Sequence, residues 1–187
     1  MHNSLPKFFT FIKTFDKDHI KKLDNDIGII YRNYSTNLDK KMIIEIKKFC
    51  KRDNKKFYLS NNVTLAKSLG LDGVYIPSFN TLLNSNHLNE KKEFLKIGSA
   101  HNVSEIKIKE RQGVKLLFIA PIFKKKGTSK FLDCVKFNNL AKNTTLKIIA
   151  LGGINEKNIT RLKLTKAYGF ASITLFNEKP TLTKYFL

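Results

Sequence analysis

The stretch that decides the fold runs from Leu146 to Asn155 and reads Leu-Lys-Ile-Ile-Ala-Leu-Gly-Gly-Ile-Asn. An apolar run is followed at once by two glycines and then by Asn155, a residue type that often caps the first turn of a helix. The stretch therefore predicts a strand, a tight turn and a helix. Glycine lacks a Cβ, so the N–H groups of Gly152 and Gly153 can approach an anion closely. We favour a phosphate site at this turn over a turn that needs no ligand.

Seven further apolar, β-branched or aromatic runs occur along the chain, separated by segments with helical periodicity or helix-start signals. Most are continuous rather than alternating, as is typical of strands buried on both faces of a parallel sheet. The eight runs predict an α/β fold, a compact (β/α)8 TIM barrel with shortened terminal helices, although such barrels typically need about 250 residues. A doubly wound open sheet is the alternative. The runs are Phe8–Ile12, Ile27–Tyr31, Lys56–Leu59, Gly73–Ile76, Phe94–Gly98, Leu116–Ala120, Leu146–Leu151 and Phe170–Leu175.

Length and hydrophobicity indicate an ordinary globular chain. It has 187 residues, 42% of them hydrophobic, which predicts a single domain over residues 1–187. No run approaches the roughly 18 apolar residues of a membrane-spanning helix, and the first residues lack the pattern of a signal peptide. We therefore expect no membrane association and a cytoplasmic location. Cys50 and Cys134 are isolated in the sequence, which predicts reduced thiols without a metal.

The chain is strongly basic, with a formal net charge of +20 from 35 Lys and Arg against 15 Asp and Glu. Such a charge suits nucleic acid or a phosphorylated substrate. Only four of the basic residues are Arg, and the abundant Lys, Asn, Ile and Phe all have A/T-rich codons. Because Arg is the residue preferred for recognising phosphates and bases, codon bias explains this charge better than nucleic-acid binding does. We therefore expect a phosphorylated small molecule and no nucleic acid as partner.

Function in α/β folds concentrates at the carboxyl ends of the strands. A scarce Arg32 follows the second run, where it meets an anion or closes an ion pair at the barrel mouth. His101 follows the fifth run and is interpreted either as a general acid or base or as a structural group. Residues 124–130 carry four Lys with Gly127, Thr128 and Ser129, and form either a basic loop that closes over phosphate or a solvated charge run. Asn61 and Asn80 stand where metal or acid–base chemistry would require carboxylates.

Four motifs in order resemble the thiamine-phosphate synthase and thiazole tautomerase (TenI-like) superfamily, over about Ile27 to Phe176. They are Leu-Gly-Leu-Asp-Gly-Val at 69–74, Ser-Ala-His at 99–101, Ala-Pro-Ile-Phe at 120–123 and Ala-Leu-Gly-Gly-Ile-Asn at 150–155. The resemblance implies a (β/α)8 barrel. It also implies thiamine biosynthesis, in which hydroxymethylpyrimidine diphosphate is joined to thiazole phosphate and pyrophosphate is released. Synthases of this family use Mg2+ and cationic side chains to stabilise the departing pyrophosphate.

The resemblance assigns roles residue by residue. It implies a catalytic group made of Arg32, Ser99 and Lys130 and a substrate-binding group made of Thr128, Ser129, Gly152, Gly153 and Thr174, to which we add His101 from its position. Asn61 and Asn80 occupy the positions of the family's two Asp ligands to Mg2+, which predicts a metal site that is weakened or lost. Ile30 and Tyr34 replace a Gln and a Lys of the family, and Pro121 replaces the His of the tautomerases.

Three hypotheses follow from these comparisons of residues. The leading one is a divergent thiamine-phosphate synthase-like transferase. The alternative is a non-catalytic protein of the same fold that binds thiazole phosphate or thiamine phosphate. The third is a barrel that has acquired nucleic-acid affinity through its lysines. The oligomeric state is open, with a homo-oligomer as one option.

Overall fold

The computed structural model describes residues 5–34, 38–83, 93–125 and 127–181. Eight parallel strands form a closed barrel in sequence order, and β1 pairs with both β2 and β8. The predicted (β/α)8 TIM barrel is confirmed, and the open-sheet alternative is wrong. The strands are β1 (Phe8–Ile12), β2 (Ile27–Tyr31), β3 (Phe57–Ser60), β4 (Gly73–Ile76), β5 (Leu95–Ala100), β6 (Leu116–Ile119), β7 (Lys147–Leu151) and β8 (Gly169–Ala171).

Short helices connect the strands on the outside of the barrel. The α2 helix illustrates the local rule: the Asp39 side chain accepts a hydrogen bond from the N–H of Met42 at 3.0 Å, and the helix buries Ile43 and Ile46. None of the described helices is long and apolar enough to cross a membrane. The α-helices are α1 (Lys17–Lys22), α2 (Lys40–Arg52), α3 (Val63–Ser68), α4 (Val103–Arg111), α5 (Asp133–Ala141) and α6 (Thr174–Glu178).

Two predicted boundaries at the end of the chain are wrong. The run Phe170–Leu175 was expected to be one strand, but β8 ends at Ala171 and α6 begins at Thr174. The Ser172 hydroxyl accepts a hydrogen bond from the N–H of Leu175 at 3.2 Å, and this bond starts the helix in place of further strand pairing.

The second wrong boundary follows the glycine pair. Asn155 was expected to open an α-helix, but a 3-10 helix begins only at Ile159. The Asn155 side chain accepts from the N–H of Lys157 at 3.0 Å, and Asn158 Oδ1 accepts from the N–H of Asn155 at 2.9 Å. These side-chain bonds close a turn that competes with a regular helix.

The barrel interior is filled mainly by aromatic rings. Phe9 lies 5.1 Å from Phe118 and 5.8 Å from Tyr58, while Phe11 lies 5.2 Å from Tyr75, all measured between ring centroids. A second apolar layer lies between the strands and the helices and contains both free cysteines. Because rings fill the barrel, it is a packed core, and any ligand has to be held at one of its ends.

Candidate functional site

Arg32 directly follows β2 at the carboxyl end of the barrel. Its guanidinium carbon lies 4.8 Å from the centre of the Phe11 ring, which itself lies 6.2 Å from the Phe118 ring. Arg32 is half-buried, so its N–H donors remain accessible from solvent. A guanidinium stacked on an aromatic ring keeps its charge and its hydrogen-bonding fork. The structure thus places Arg32 where it can donate to an anion at the barrel mouth.

Ser99 lies near the end of β5 and is buried. Its hydroxyl is hydrogen-bonded to the hydroxyl of Tyr75, and burial raises the pKa of Tyr75 to about 12. The Phe11 ring, on which Arg32 stacks, lies 5.2 Å from the ring of Tyr75, so Arg32 and Tyr75 are neighbours through Phe11. The structure therefore brings Ser99 and Arg32 together through Tyr75, a residue that the sequence did not single out because a Tyr in a strand is usually core.

Ser60 ends β3 beside Tyr75, with which it pairs in register. It lies two residues after Tyr58, so both side chains share the face of β3 that lines the barrel interior. The Ser60 hydroxyl is buried and has no hydrogen-bond partner among the described residues. Buried polar groups are nearly always hydrogen-bonded. The Ser60 hydroxyl is therefore available to bond a ligand held at this end of the barrel.

The Gly152–Gly153 turn is fitted against the loop that follows β6. The two residues have φ angles of +99° and +73°. The carbonyl of Gly152 accepts from the N–H of Phe123 at 3.0 Å, and the carbonyl of Gly153 accepts from Asn158 Nδ2 at 2.8 Å. A methyl group at Gly153 would lie 2.6 Å from the carbonyl carbon of Phe123. Only glycine fits here, and a charged substitution at Gly153 would disrupt the turn before it tested anion binding.

The end of β8 is tied to this turn. Ser172 is buried, and its hydroxyl donates to the carbonyl of Ile154 at 3.0 Å. Thr174, the predicted substrate contact, is exposed at the first residue of α6. The two loops that commonly form the phosphate site of such barrels are thus joined through Ser172. Sequence reasoning missed Ser172, although its place directly after an apolar run was a usable signal.

The loop after β6 carries Thr128, Ser129 and Lys130, all of which are exposed. The Thr128 N–H and hydroxyl both donate to the carbonyl of Lys125, at 3.1 and 3.3 Å. Lys125 belongs to the basic loop predicted at residues 124–130, but no role was assigned to it individually, because one Lys within a run of lysines carries no distinguishing signal. Its Cε lies 2.8 Å from the position that a Cβ would take at Gly152. The side chain of Lys125 therefore crosses the glycine turn.

His101 connects the ends of two strands. Its Nδ1 donates to the carbonyl of Ala120 at 2.7 Å, since a carbonyl oxygen can only accept, and its main-chain N–H donates to Glu105 Oε2 at 2.7 Å. The ring remains exposed. These contacts favour the structural interpretation of His101, because they fasten the end of β5 to the residue that follows β6.

The structure brings Asn61 and Asn80 together at the ends of β3 and β4. The Nδ2 of Asn80 donates to Oδ1 of Asn61 at 2.8 Å, and Oδ1 of Asn80 accepts from the N–H of Leu82 at 3.0 Å. The two amide oxygens, which are the atoms that could ligate Mg2+, therefore each already accept one hydrogen bond from the protein. Asn61 has a φ of +60°, a conformation that Asn tolerates better than most residues.

A buried cation lies beneath these amides. Lys109 of α4 is 0% exposed, and its Nζ donates to the carbonyls of Pro77 and Asn80 at 2.7 and 2.6 Å and to Gln112 Oε1 at 2.9 Å. Burial lowers the pKa of Lys109 to about 8. Sequence reasoning missed this residue because it lies on a helix far from the strand ends in sequence.

The residues at this position do not fit a divalent cation. Mg2+ prefers carboxylates and water in near-octahedral geometry. Asn61 and Asn80 instead offer two neutral amide oxygens, each of which already accepts a hydrogen bond, beside the ammonium of Lys109. Within residues 5–34, 38–83, 93–125 and 127–181, no group of three or more His, Cys, Asp or Glu side chains could hold a metal ion.

The chain is similar to known proteins in sequence and in fold. The family model for thiamine monophosphate synthase matches residues 26–176. The chain is 27% identical to thiamine-phosphate synthase of Prochlorococcus marinus (strain AS9601), over 90% of the chain and 50% of the relative. It is 28% identical to the Listeria monocytogenes enzyme of the same name, over 74% of the chain and 67% of the relative.

A solved structure gives the same result for the fold. Thiamine phosphate pyrophosphorylase from Pyrococcus furiosus superposes with a TM-score of 0.67 at 14% identity, covering 90% of this chain and 86% of the other. At this identity the likeness concerns the fold alone. The chain spans half the length of its Prochlorococcus relative, whereas the family model covers most of the chain. The chain belongs to the thiamine monophosphate synthase family.

Proposed function

We propose that the chain is a divergent thiamine-phosphate synthase-like transferase in thiamine biosynthesis. It would join hydroxymethylpyrimidine diphosphate to thiazole phosphate and release pyrophosphate. The observation that carries this proposal is that Arg32 and Ser99, linked through Tyr75, lie at the same barrel end as the Gly152–Gly153 turn in a chain of this family. The partners are then phosphorylated small molecules. A cytoplasmic location and a single domain over residues 1–187 stay predictions, and the oligomeric state stays open, with a homo-oligomer as one option.

In the proposed reaction the bond between the pyrimidine methylene carbon and the diphosphate oxygen breaks, and its electron pair leaves with pyrophosphate. The thiazole nitrogen then forms the new carbon–nitrogen bond. Arg32 donates to the departing phosphates, and Lys130 of the β6 loop adds a second positive charge. Fixed donors aimed at developing negative charge usually supply the largest part of a rate enhancement. We assign no step to Mg2+, because the donor set at Asn61 and Asn80 does not fit it.

The phosphate of the thiazole substrate is assigned to the glycine turn. Gly152 and Gly153 are held in left-handed conformations by bonds from Phe123 and Asn158 to their carbonyls, so the peptide planes of the turn are fixed. Consecutive N–H groups in such turns form concave sites for anions. We assign the exposed hydroxyl of Thr174, at the start of α6, to the same phosphate as a side-chain donor.

The alternative function is a non-catalytic protein that binds thiazole phosphate or thiamine phosphate. The amide pair of Asn61 and Asn80 favours it, because two carboxylates have given way to neutral groups at the position where the family holds its metal. Retention of Arg32 and Ser99 beside Tyr75 favours the transferase, since a protein that binds only the thiazole half has no use for them.

A product assay separates the two functions. Purified protein is incubated with both precursors at high concentration, and thiamine phosphate is measured by conversion to a fluorescent product. We expect product above background, and a loss of roughly 100-fold in rate in Arg32→Ala and in Lys130→Ala, the magnitude typical of removing one stabilising donor. Lys115→Met removes the same charge at the opposite end of the barrel, ahead of β6, and serves as the control. Absence of product together with binding of thiazole phosphate would establish the alternative.

A further inference from the structure

The buried side chain of Lys109 runs from α4 over β5 to the carboxyl end of β4. A methyl group at Gly98 of β5 would lie 3.0 Å from Cδ and 3.2 Å from Cγ of Lys109, so the glycine leaves the room that this side chain fills. Gly98 pairs in register with Ile76, the last residue of β4. The ammonium of Lys109 therefore meets the chain where it leaves β4, at Pro77.

The ammonium has one neutral oxygen for each of its three N–H groups. The acceptors are the carbonyl oxygens of Pro77 and Asn80, at 2.7 and 2.6 Å, and Oε1 of Gln112 at 2.9 Å. A buried ammonium is costly unless its donors are bonded, and here each one is. Carbonyl and amide oxygens are also common ligands of bound metal cations. Lys109 thus places a cation that belongs to the chain among oxygens of the kind that hold a free one.

The neighbouring Gln112 extends the hold of Lys109 on the β4 loop, which we define as residues 77–82. Its Nε2 donates to the carbonyls of Asn80 and Leu82, both at 2.9 Å. Since Oε1 of the same amide accepts from Lys109, the two side chains form one network. Three carbonyls of the β4 loop are therefore fixed from the side of α4, by donors that point away from the barrel mouth.

The β4 loop forms one wall of that mouth. Asn80 donates to Oδ1 of Asn61 at 2.8 Å, which ties the loop to the end of β3. The ring of Phe79 lies 5.3 Å from the ring of Tyr34, two residues after Arg32. A displacement of the β4 loop would therefore disturb the ends of both β2 and β3.

We propose that Lys109 is a positioning residue, whose ammonium holds the β4 loop, and with it Asn80 and Phe79, in place at the barrel mouth. It does for this loop what a bound cation does for the oxygens around it, without touching the substrate. The inference rests on the proposed function for the identity of the ligand, whereas the hold on the loop is measurable without any ligand.

Hydrogen exchange, followed by NMR, measures that hold. The N–H groups of Asn80 and Leu82 donate to the carbonyl of Pro77 at 3.1 Å and to Oδ1 of Asn80 at 3.0 Å. In Lys109→Met these two amides should exchange at least about tenfold faster, because the charge-assisted bonds that keep the loop closed are lost.

Lys55→Met is the matched control. Lys55 is also buried, and its Nζ donates to Oδ1 of Asn25 at 2.9 Å, but it precedes β3 and so lies at the opposite end of the barrel. This variant loses a buried ammonium in the same way. It should leave the exchange of Asn80 and Leu82 at the wild-type rate.

Calorimetry with the two proposed substrates separates positioning from general destabilisation. Lys109→Met should bind hydroxymethylpyrimidine diphosphate roughly tenfold more weakly, because the loop is no longer preorganised. Its affinity for thiazole phosphate should stay within about twofold of the wild type, since the glycine turn follows β7, three strands away around the sheet. Lys55→Met should bind both ligands like the wild type.

The inference is overturned by unchanged exchange of Asn80 and Leu82 in Lys109→Met, or by faster exchange with unchanged affinity for the diphosphate. Equal losses of affinity for the two ligands, or the same losses in Lys55→Met, would also overturn it. If Lys109→Met does not fold, Gly98→Ala decides: its methyl group displaces the side chain of Lys109 but keeps the charge, so the same amides should exchange about threefold faster. A wild type that binds neither ligand refutes the proposed function, and exchange then decides alone whether Lys109 holds the loop.

Discussion

Replacing Gly153 with alanine tests the packing that creates the phosphate site. A methyl group there would lie 2.6 Å from the carbonyl carbon of Phe123 and 2.7 Å from the carbonyl oxygen of Lys124. Because carbon atoms in contact settle at about 3.5–4.0 Å, the main chain at Phe123 must retreat by about 1 Å. Phe123 is buried in the apolar layer, so this retreat disturbs the core as well as the turn.

Two contributions set the magnitude. Overpacking typically costs about 1–3 kcal/mol, and the left-handed conformation, with φ at +73°, adds about 1–2 kcal/mol for a residue with a Cβ. Gly153→Ala should therefore lower the free energy of unfolding by about 2–5 kcal/mol. For a chain of this length the melting temperature falls by about 2–4 °C per kcal/mol, hence by roughly 4–20 °C.

Gly127→Ala is the matched control for stability. Gly127 has a φ of +79°, but a methyl group there would meet nothing within 4 Å. This variant incurs the conformational cost alone and should lose only about 1–2 kcal/mol. The assays are urea unfolding for stability and calorimetry for thiazole phosphate, whose affinity should fall more than tenfold in Gly153→Ala. Equal losses of stability in the two variants, with unchanged affinity in Gly153→Ala, would show that close packing at Gly153 does not shape the phosphate site.

Two further predictions concern charge at the site. The folded protein releases the proton of Lys109 near pH 8, whereas the unfolded chain keeps it up to the ordinary pKa of 10.5. Through this group the free energy of unfolding should therefore rise with pH between about pH 8 and 10.5. Lys109→Met should flatten the rise in the free energy of unfolding, measured in urea between pH 8 and 9.5, and identical slopes in the two proteins would contradict this prediction. Asn61→Asp combined with Asn80→Asp should create Mg2+ binding measurable by calorimetry; no heat at millimolar Mg2+ would count against our account of the lost ligands.

The fold could be predicted from sequence because its signals are local. Continuous apolar runs bounded by helix starts specify parallel strands, and the structure has a strand at each of the eight predicted positions. The boundaries around Ser172 and Asn155 could not be predicted, since a single side-chain hydrogen bond decides whether the chain continues as a strand, a turn or a helix.

The site could be predicted only in part. Arg32 was found because Arg is rare in this chain, and the glycine turn because paired glycines after a strand have few other uses. Lys109 could not be found, because its importance lies in the buried acceptors that surround it, and Lys125 was found only as one member of the basic loop at residues 124–130. The roles assigned to Ser99, Lys130 and Thr174 stay predictions.

A single-turnover experiment measures the proposed transfer of the pyrimidine group itself. Enzyme in molar excess over hydroxymethylpyrimidine diphosphate is mixed with thiazole phosphate in EDTA, and thiamine phosphate and pyrophosphate are quantified in the same quenched samples. We expect the two products to form together in a one-to-one ratio and Arg32→Ala to slow both equally. Pyrophosphate without thiamine phosphate, or neither product at the longest times, would contradict the assignment of this barrel as a transferase.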